Sequence, residues 1–84
     1  DIVPMSMAAA FKARRVCDNA RRVVACELLC AAQGLEYHRP LRSAAAVEKL
    51  LGRVREKVEP LTADRPLTAD IERLTTLVKE KALI

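Results

Sequence analysis

The apolar positions of this chain fall into three helical patterns of different kinds. From Ser6 to about Gln33 there is neither proline nor glycine. Pro4 suits a first turn, Ser6 can cap, and Gly34 offers a C-terminal stop, so a first helix is expected over about residues 6–34. That is about 28 residues, or roughly 42 Å at 1.5 Å per residue. Pro40 opens a connection, and Ser43 is the expected cap of a second helix over about residues 44–57. Val47, Leu50, Leu51, Val54 and Val58 make its single apolar stripe. Pro60 ends it. A short duplication follows, Leu61-Thr62-Ala63-Asp64 and Leu67-Thr68-Ala69-Asp70 around Pro66, too brief to be an architectural repeat. Thr68 is a candidate cap, with Asp70 in a first turn that favours acids. The third helix is expected over about residues 69–81, with Ile71, Leu74, Leu77 and Val78 on one side.

The first helix changes character midway. Its first half is amphipathic and basic: Arg14, Arg15, Arg21 and Arg22 lie three or four residues from Asp18, within reach of that one carboxylate. Its second half, Val23 to Ala32, is apolar all round except at Glu27. A helix apolar on every face is expected to be buried on every face. Two short amphipathic helices cannot cover it, so the remaining cover is expected from outside these residues. The small side chains of Cys26, Cys30 and Ala31 suit close approach of neighbouring helices. Glu27 has no basic neighbour one turn away; if buried, its partner must come from outside the helix.

Composition sharpens the class. Half of the 84 residues are hydrophobic, chiefly Ala, Leu and Val, while Phe11 and Tyr37 are the only aromatics and there are two glycines. That excludes β-sandwiches and barrels, and the apolar content argues against disorder. The expected fold is all-α: one long buried helix with two shorter amphipathic ones, part of a larger oligomeric bundle. A compact monomer of 9.3 kDa would expose roughly 5,000 Å² and bury only about 63% of its unfolded surface. The chain opens on Asp1 rather than Met and closes on Ala82-Leu83-Ile84, which reads as a piece of a longer protein. No run of 18 apolar residues exists to span a membrane. The odd set Cys17, Cys26 and Cys30 on one helix is no disulfide framework and fits a reducing compartment, hence the cytoplasm.

Candidate chemistry is sparse. Cys26, Cys30 and His38 leave a zinc site one ligand short unless Cys17 reaches over two turns of rigid helix, so no metal is expected. The thiols sit mid-helix without a base, and small thiols packing an interface account for them. Tyr37, His38, Arg39 and Arg42 read as a solvated connection. There is no Gly-rich phosphate loop and no G-x-S-x-G. A net charge of +4 and the stripe Lys12, Arg15, Arg22 raise the rival reading of a small basic nucleic-acid-binding or interaction module. Asp18 inside the cluster, the scarcity of stacking aromatics and the long second connection argue against nucleic acid.

The order of residues adds a resemblance. The segment Asp18-Asn19-Ala20-Arg21-Arg22-Val23-Val24-Ala25-Cys26-Glu27 continues through Leu28-Leu29-Cys30-Ala31-Ala32 into Gln33-Gly34-Leu35-Glu36-Tyr37. It resembles the N-x-R-x-V-x-A-x-E core and A-x-Q-G-L-E/D turn near the C-terminus of histidine ammonia-lyases. Asp64-Arg65-Pro66-Leu67-Thr68-Ala69-Asp70-Ile71-Glu72 resembles that family's D-R-x-x-x-x-D-I-E ending, and Asp1-Ile2-Val3-Pro4-Met5-Ser6-Met7 its D-H-V-S-M stretch. The matches come in the family's order and cover nearly the whole chain. The resemblance implies a homotetramer with a central helix bundle, eliminating ammonia from histidine or a related aromatic amino acid. It implies the electrophile 4-methylideneimidazol-5-one, formed from an Ala-Ser-Gly triad, and a catalytic tyrosine. Neither is expected in this chain: Ser43-Ala44-Ala45 is not the triad, and Tyr37 does not match that tyrosine. The nearest expected neighbour of an active site is Asp1, because the family's active-site glutamate immediately precedes its match. The segment is thus expected to be structural and inactive alone, its partners being the rest of the parent enzyme and its other subunits. Ile2 and Pro4 depart from the family's His and Ser, which keeps tyrosine or phenylalanine lyases and aminomutases of the same superfamily open.

Overall fold

The structure is a computed structural model that describes residues 2–80, with the side chains of residues 2–4 left out. It is all-helical among the described residues: α1 is Ile2–Glu36, α2 is Ala45–Arg55 and α3 is Thr68–Lys79.

The long helix reaches further at both ends than its breakers suggest. Pro4 and Ser6 lie inside it. A proline in the first turn lacks an N–H that would have had no intrahelical acceptor anyway, so α1 starts ahead of it without loss. Gly34 is an ordinary helical position with no positive φ. The chain leaves the helix by tightening instead. Tyr37 N–H donates to the Gly34 carbonyl (3.2 Å), His38 to Leu35 (3.1 Å) and Arg39 to Glu36 (3.3 Å). These three-residue steps satisfy the terminal carbonyls, so no left-handed residue is needed. Pro40, with no N–H to donate, interrupts the run, and Leu41 N–H closes a last such step onto the His38 carbonyl (2.9 Å).

The two short helices begin without their expected side-chain caps. Ala44 caps α2, and Ser43 contributes its backbone rather than its hydroxyl: its N–H donates to Glu48 Oε1 at 2.8 Å. Glu48 reaches back as the acid of a capping box would, while the reciprocal hydroxyl bond is missing. Leu67 caps α3, and Thr68 is already helical. The α2 helix is shorter than its apolar pattern. Val58 lies beyond α2 yet is 1% exposed, because Lys57 and Val58 N–H both return to the Val54 carbonyl in a closing turn.

The core is one cluster: Ala25 and Ala32 of α1, Leu51 and Val54 of α2, Val58, and Leu74 and Leu77 of α3. Leu28, Leu29 and Leu35 pack against it half-buried. The α3 helix lies along α1 more extensively than α2 does. The inward stripe of α2 starts at Leu50 rather than Val47, which is 42% exposed. Val47 sits a turn ahead of the α1 contact and only borders the cleft between the helices.

Three polar clamps hold the connections, two of them onto α1 and the third onto α3. The Gln33 amide donates to the Leu61 carbonyl (3.2 Å) and accepts from Leu61 N–H (2.9 Å). Arg55 Nε donates to Glu36 (3.2 Å), while its other nitrogens reach the Ala32 (3.2 Å) and Val58 (3.4 Å) carbonyls. Arg65 donates to the Glu59 carbonyl and to Asp70 Oδ2, both at 2.9 Å. Asp70, read as an acid for the helix dipole, is buried and also faces Arg73 at 3.6 Å. Its burial is offset by these charge-assisted bonds.

The molecule measures 61 × 29 × 17 Å. Its accessible surface is 6679 Å², against the roughly 5,000 Å² of a compact chain of this mass. The excess belongs largely to α1, whose residues 5–20 are all exposed.

Candidate functional site

The surface features divide between α1 and the polar connections. On α1, one side of the apolar half is covered and the other is bare. Ala25 and Ala32 are buried and Leu28 and Leu29 half-buried against α2 and α3. Val23 (59%), Val24 (42%), Cys26, Glu27, Cys30 and Ala31 are exposed. Within one chain, therefore, the all-round cover expected for residues 23–32 is supplied on one side only. Glu27 stands at the surface beside Val23, Cys26, Cys30 and Arg22, which line an open apolar depression of about 370 Å³. Cys17, Cys26 and Cys30 are free and exposed thiols.

The basic half of α1 is solvated along its length. The expected cluster around Asp18 reduces to a single pair, Arg21 to Asp18 Oδ1 at 3.0 Å. Lys12, Arg14, Arg15 and Arg22 have no partner among the described residues. Exposed pairs gain little in water and cost side-chain entropy, so one carboxylate does not gather four guanidinium groups there. Of the fifteen basic and eleven acidic residues of the chain, five bases and one acid lie between Lys12 and Arg22; the rest holds ten of each. The net charge is thus localised on this stretch of α1.

The polar connections build structure rather than a reacting centre. Arg39 grips Glu48 with both terminal nitrogens, at 2.8 and 3.0 Å. That bidentate bond, followed by the Ser43 N–H, holds the Glu48 carboxyl down at about 2, while Glu48 raises the pKa of Arg39. Arg42 stands 3.9 Å away on the same carboxylate. Tyr37 (78% exposed) and His38 project into solvent. A cavity of about 510 Å³ lies where the α2–α3 connection meets α3, but its Arg55, Arg65 and Arg73 are already engaged with Glu36, Asp70 and backbone carbonyls. A narrow apolar cleft of about 90 Å³ separates α1 from α2. Among the described residues, no three His, Cys, Asp or Glu side chains come together to hold a metal ion. No described helix is long and apolar enough to cross a membrane. Asp1, the expected neighbour of an active site, lies outside the described residues.

The groups that sequence reasoning overlooked are the clamps: Gln33, Glu36, Arg55, Arg65 and Glu48. Two signals were there to use. Gln33 and Glu36 belong to the A-x-Q-G-L-E turn, and Arg65 and Asp70 to the D-R-x-x-x-x-D segment. The motif residues fasten the α2–α3 connection to the end of α1 and close the turn into α3.

Comparison with known proteins places these motifs. The family model for aromatic amino acid lyases matches residues 1–56. The histidine ammonia-lyase of Symbiobacterium thermophilum is 50% identical over all 84 residues, which make up 17% of that protein. That of Anaeromyxobacter sp. (strain K) is 48% identical over 83 residues, 99% of this chain and 16% of the relative. That of Natranaerobius thermophilus is 40% identical over the whole chain. The chain thus spans about a sixth of the length of the curated relatives it matches, at 16–17%. No solved structure matches it. A family model covering two thirds of the chain, joined to relatives that follow it end to end, shows that this chain belongs to the aromatic amino acid lyase family.

Proposed function

We propose that this chain is the C-terminal structural segment of a cytoplasmic ammonia-lyase that eliminates ammonia from histidine, and that its role is to bind subunits together. The observation that carries the reading is the bare apolar face of α1. Val23, Val24, Cys26, Cys30 and Ala31 are exposed although α2 and α3 have already folded onto the opposite side. Exposed apolar surface of this extent on a helix is what an assembly covers. The segment joins its parent chain and the other subunits of a homotetramer through that face, and it contacts neither nucleic acid nor membrane. Cys26 and Cys30 serve as small packing groups, not metal ligands.

The electrophile of such enzymes is built from Ala-Ser-Gly. The two serines of this chain, Ser6 and Ser43, are flanked by Met5 and Met7 and by Arg42 and Ala44. The residues present do not fit the group, and no step of elimination is assigned to them. The chemistry belongs to the remainder of the parent enzyme.

The test compares the full-length protein with the isolated 84 residues. Each is incubated with histidine, tyrosine and phenylalanine, and urocanate, coumarate or cinnamate is followed by absorbance. Turnover of histidine by the full-length protein and none by the segment is expected. Turnover of tyrosine or phenylalanine instead, or formation of a β-amino acid, would move the assignment to another lyase or to an aminomutase. Activity of the isolated segment would overturn its structural role.

A further inference from the structure

The outer face of α1 carries an internal symmetry that the fold of one chain leaves unused. At about 100° of turn per residue, Ala9, Lys12, Val16, Val23, Glu27 and Cys30 fall within an arc of about 60°. That arc lies nearly opposite the side on which Ala25 and Ala32 are buried. All six residues are exposed, and neither Lys12 nor Glu27 has a partner among the described residues. The six mirror one another about a point between Asn19 and Ala20: Val16 answers Val23, Lys12 answers Glu27, and Ala9 answers Cys30.

We infer that this face receives α1 of a second copy, running antiparallel and crossing between Asn19 and Ala20, so that Lys12 of each copy lies beside Glu27 of the other. The inference rests on the assembly role proposed above and adds to it the partner, its direction and its register. Charge decides the direction. A parallel pair in register would set Lys12 against Lys12 and Glu27 against Glu27; the antiparallel pair replaces both repulsions with two complementary pairs. A two-fold axis through the crossing makes the contact self-complementary and closed. Val16 and Val23 then meet on either side of the axis as its apolar centre. Ala9 and Ala20 have little side chain to hold the backbones apart, which suits the closer end of helix separations, about 8 Å. Arg15 and Arg22 sit roughly 90–110° around the helix from the centre of the seam, at the rim, where water and salt weaken their mutual repulsion. A phosphate backbone is a poorer occupant, because Glu27 and the two valines stand in the middle of the face that it would have to approach.

The test is a charge-reversal cycle in the full-length protein, read by sedimentation velocity across a dilution series. Circular dichroism confirms that helix content is kept at these exposed positions. Lys12→Glu and Glu27→Lys are each expected to raise the subunit dissociation constant by about tenfold or more. The double variant Lys12→Glu/Glu27→Lys is expected to return to within about threefold of the starting protein, because the pairing survives with its signs exchanged. Recovery in the double variant supports the register. Two weakened single variants whose effects simply add in the double variant would overturn the register and leave the assembly role standing, with a different element on this face. If the single variants and Val16→Asp all keep the native mass and the native dissociation constant, the face is no interface, and the assembly role of α1 falls with the register.

Discussion

The two halves of α1 are one continuous helix under opposite conditions. From Ala25 to Glu36 it is held by an apolar stripe against α2 and α3, by the Gln33 amide clamp and by Arg55, whose guanidinium ties Glu36 and the Ala32 carbonyl to the α2 terminus. From Met5 to Ala20 every residue is exposed, and Met5, Met7, Phe11 and Val16 have nothing packed on them. The bare half stands on local terms alone: the alanines at 8, 9, 10, 13 and 20 favour helix, and the packed half supplies the nucleus that an isolated helix must otherwise form at a cost. The difference teaches where the segment's own packing ends. The packed half carries the tertiary contacts of the segment, while the bare half and the outward face of residues 23–31 stay exposed within one chain, and it is there that the proposed partner surface lies.

The sharpest way to break this contrast is to remove the packing and see which half survives. Leu74 is 0% exposed at the centre of the cluster. Leu74→Ala is expected to cost about 2–5 kcal/mol, the transfer of the lost side chain plus the cavity it leaves. A domain of this size has little more than that in reserve. Urea titration of the 84-residue chain, followed by far-ultraviolet circular dichroism, should show a lower midpoint and loss of α2 and α3. An unchanged midpoint would mean that α3 is not what holds the packed half together.

Much of this division was legible in the residues. The three helices, the α2 stripe from Leu50 to Val58 and the α3 stripe through Leu74 and Leu77 follow from a period of 3.6. The family could be read from three short motifs in order. What stayed hidden is non-local or decided by competition. Gln33 meets Leu61 across 28 positions, and no local pattern announces such a bond. Ser43 and Thr68 are good caps by type, but Ala44 takes the cap position of α2 while Ser43 lends only its N–H to Glu48, and α3 begins at Thr68 itself. Gly34 is a good stop by type, yet the tightening turn through Tyr37 and Arg39 satisfies the same carbonyls. Asp70 reads as a dipole acid and serves as the buried anchor of Arg65. On the candidate face the pattern of Val23 to Ala32 does not say which side its own chain covers. That depends on where α3 lies, a tertiary fact.

A milder perturbation addresses the start of α2, beyond the end of the packed half. Glu48 holds Arg39 and the Ser43 N–H, and its pKa in the folded chain is about 2 against an ordinary 4.5. A depressed carboxyl contributes stability that is fully present above the unfolded value and is lost as pH falls through 4.5 towards 2. Glu48→Gln cannot titrate. The urea midpoint of the unaltered chain should exceed that of Glu48→Gln by a constant margin above about pH 5, and the margin should close steadily below it. The other carboxylates are common to both proteins and cancel in the difference. A margin that does not change with pH would show that Glu48 acts through packing alone.

The smallest effect in the isolated chain is the most telling, because it should not stay small. Phe11 is the largest apolar side chain on the bare half and is 65% exposed. Within one chain, Phe11→Ala removes no tertiary contact and places the best helix former at an interior position, so the unfolding free energy from urea titration should change by no more than about 0.5 kcal/mol in either direction. In the full-length assembly the same side chain has a neighbour to lose if the bare half is partner surface, and removing it should cost about 3–5 kcal/mol where the ring is fully covered, less where it is partly so. Thermal unfolding of the full-length protein beside urea titration of the segment measures both. A loss confined to the assembly sharpens the contrast between the halves. Equal and negligible effects in both settings would make Phe11 a solvated residue and move the partner surface C-terminally along α1, towards Val16 and Val23.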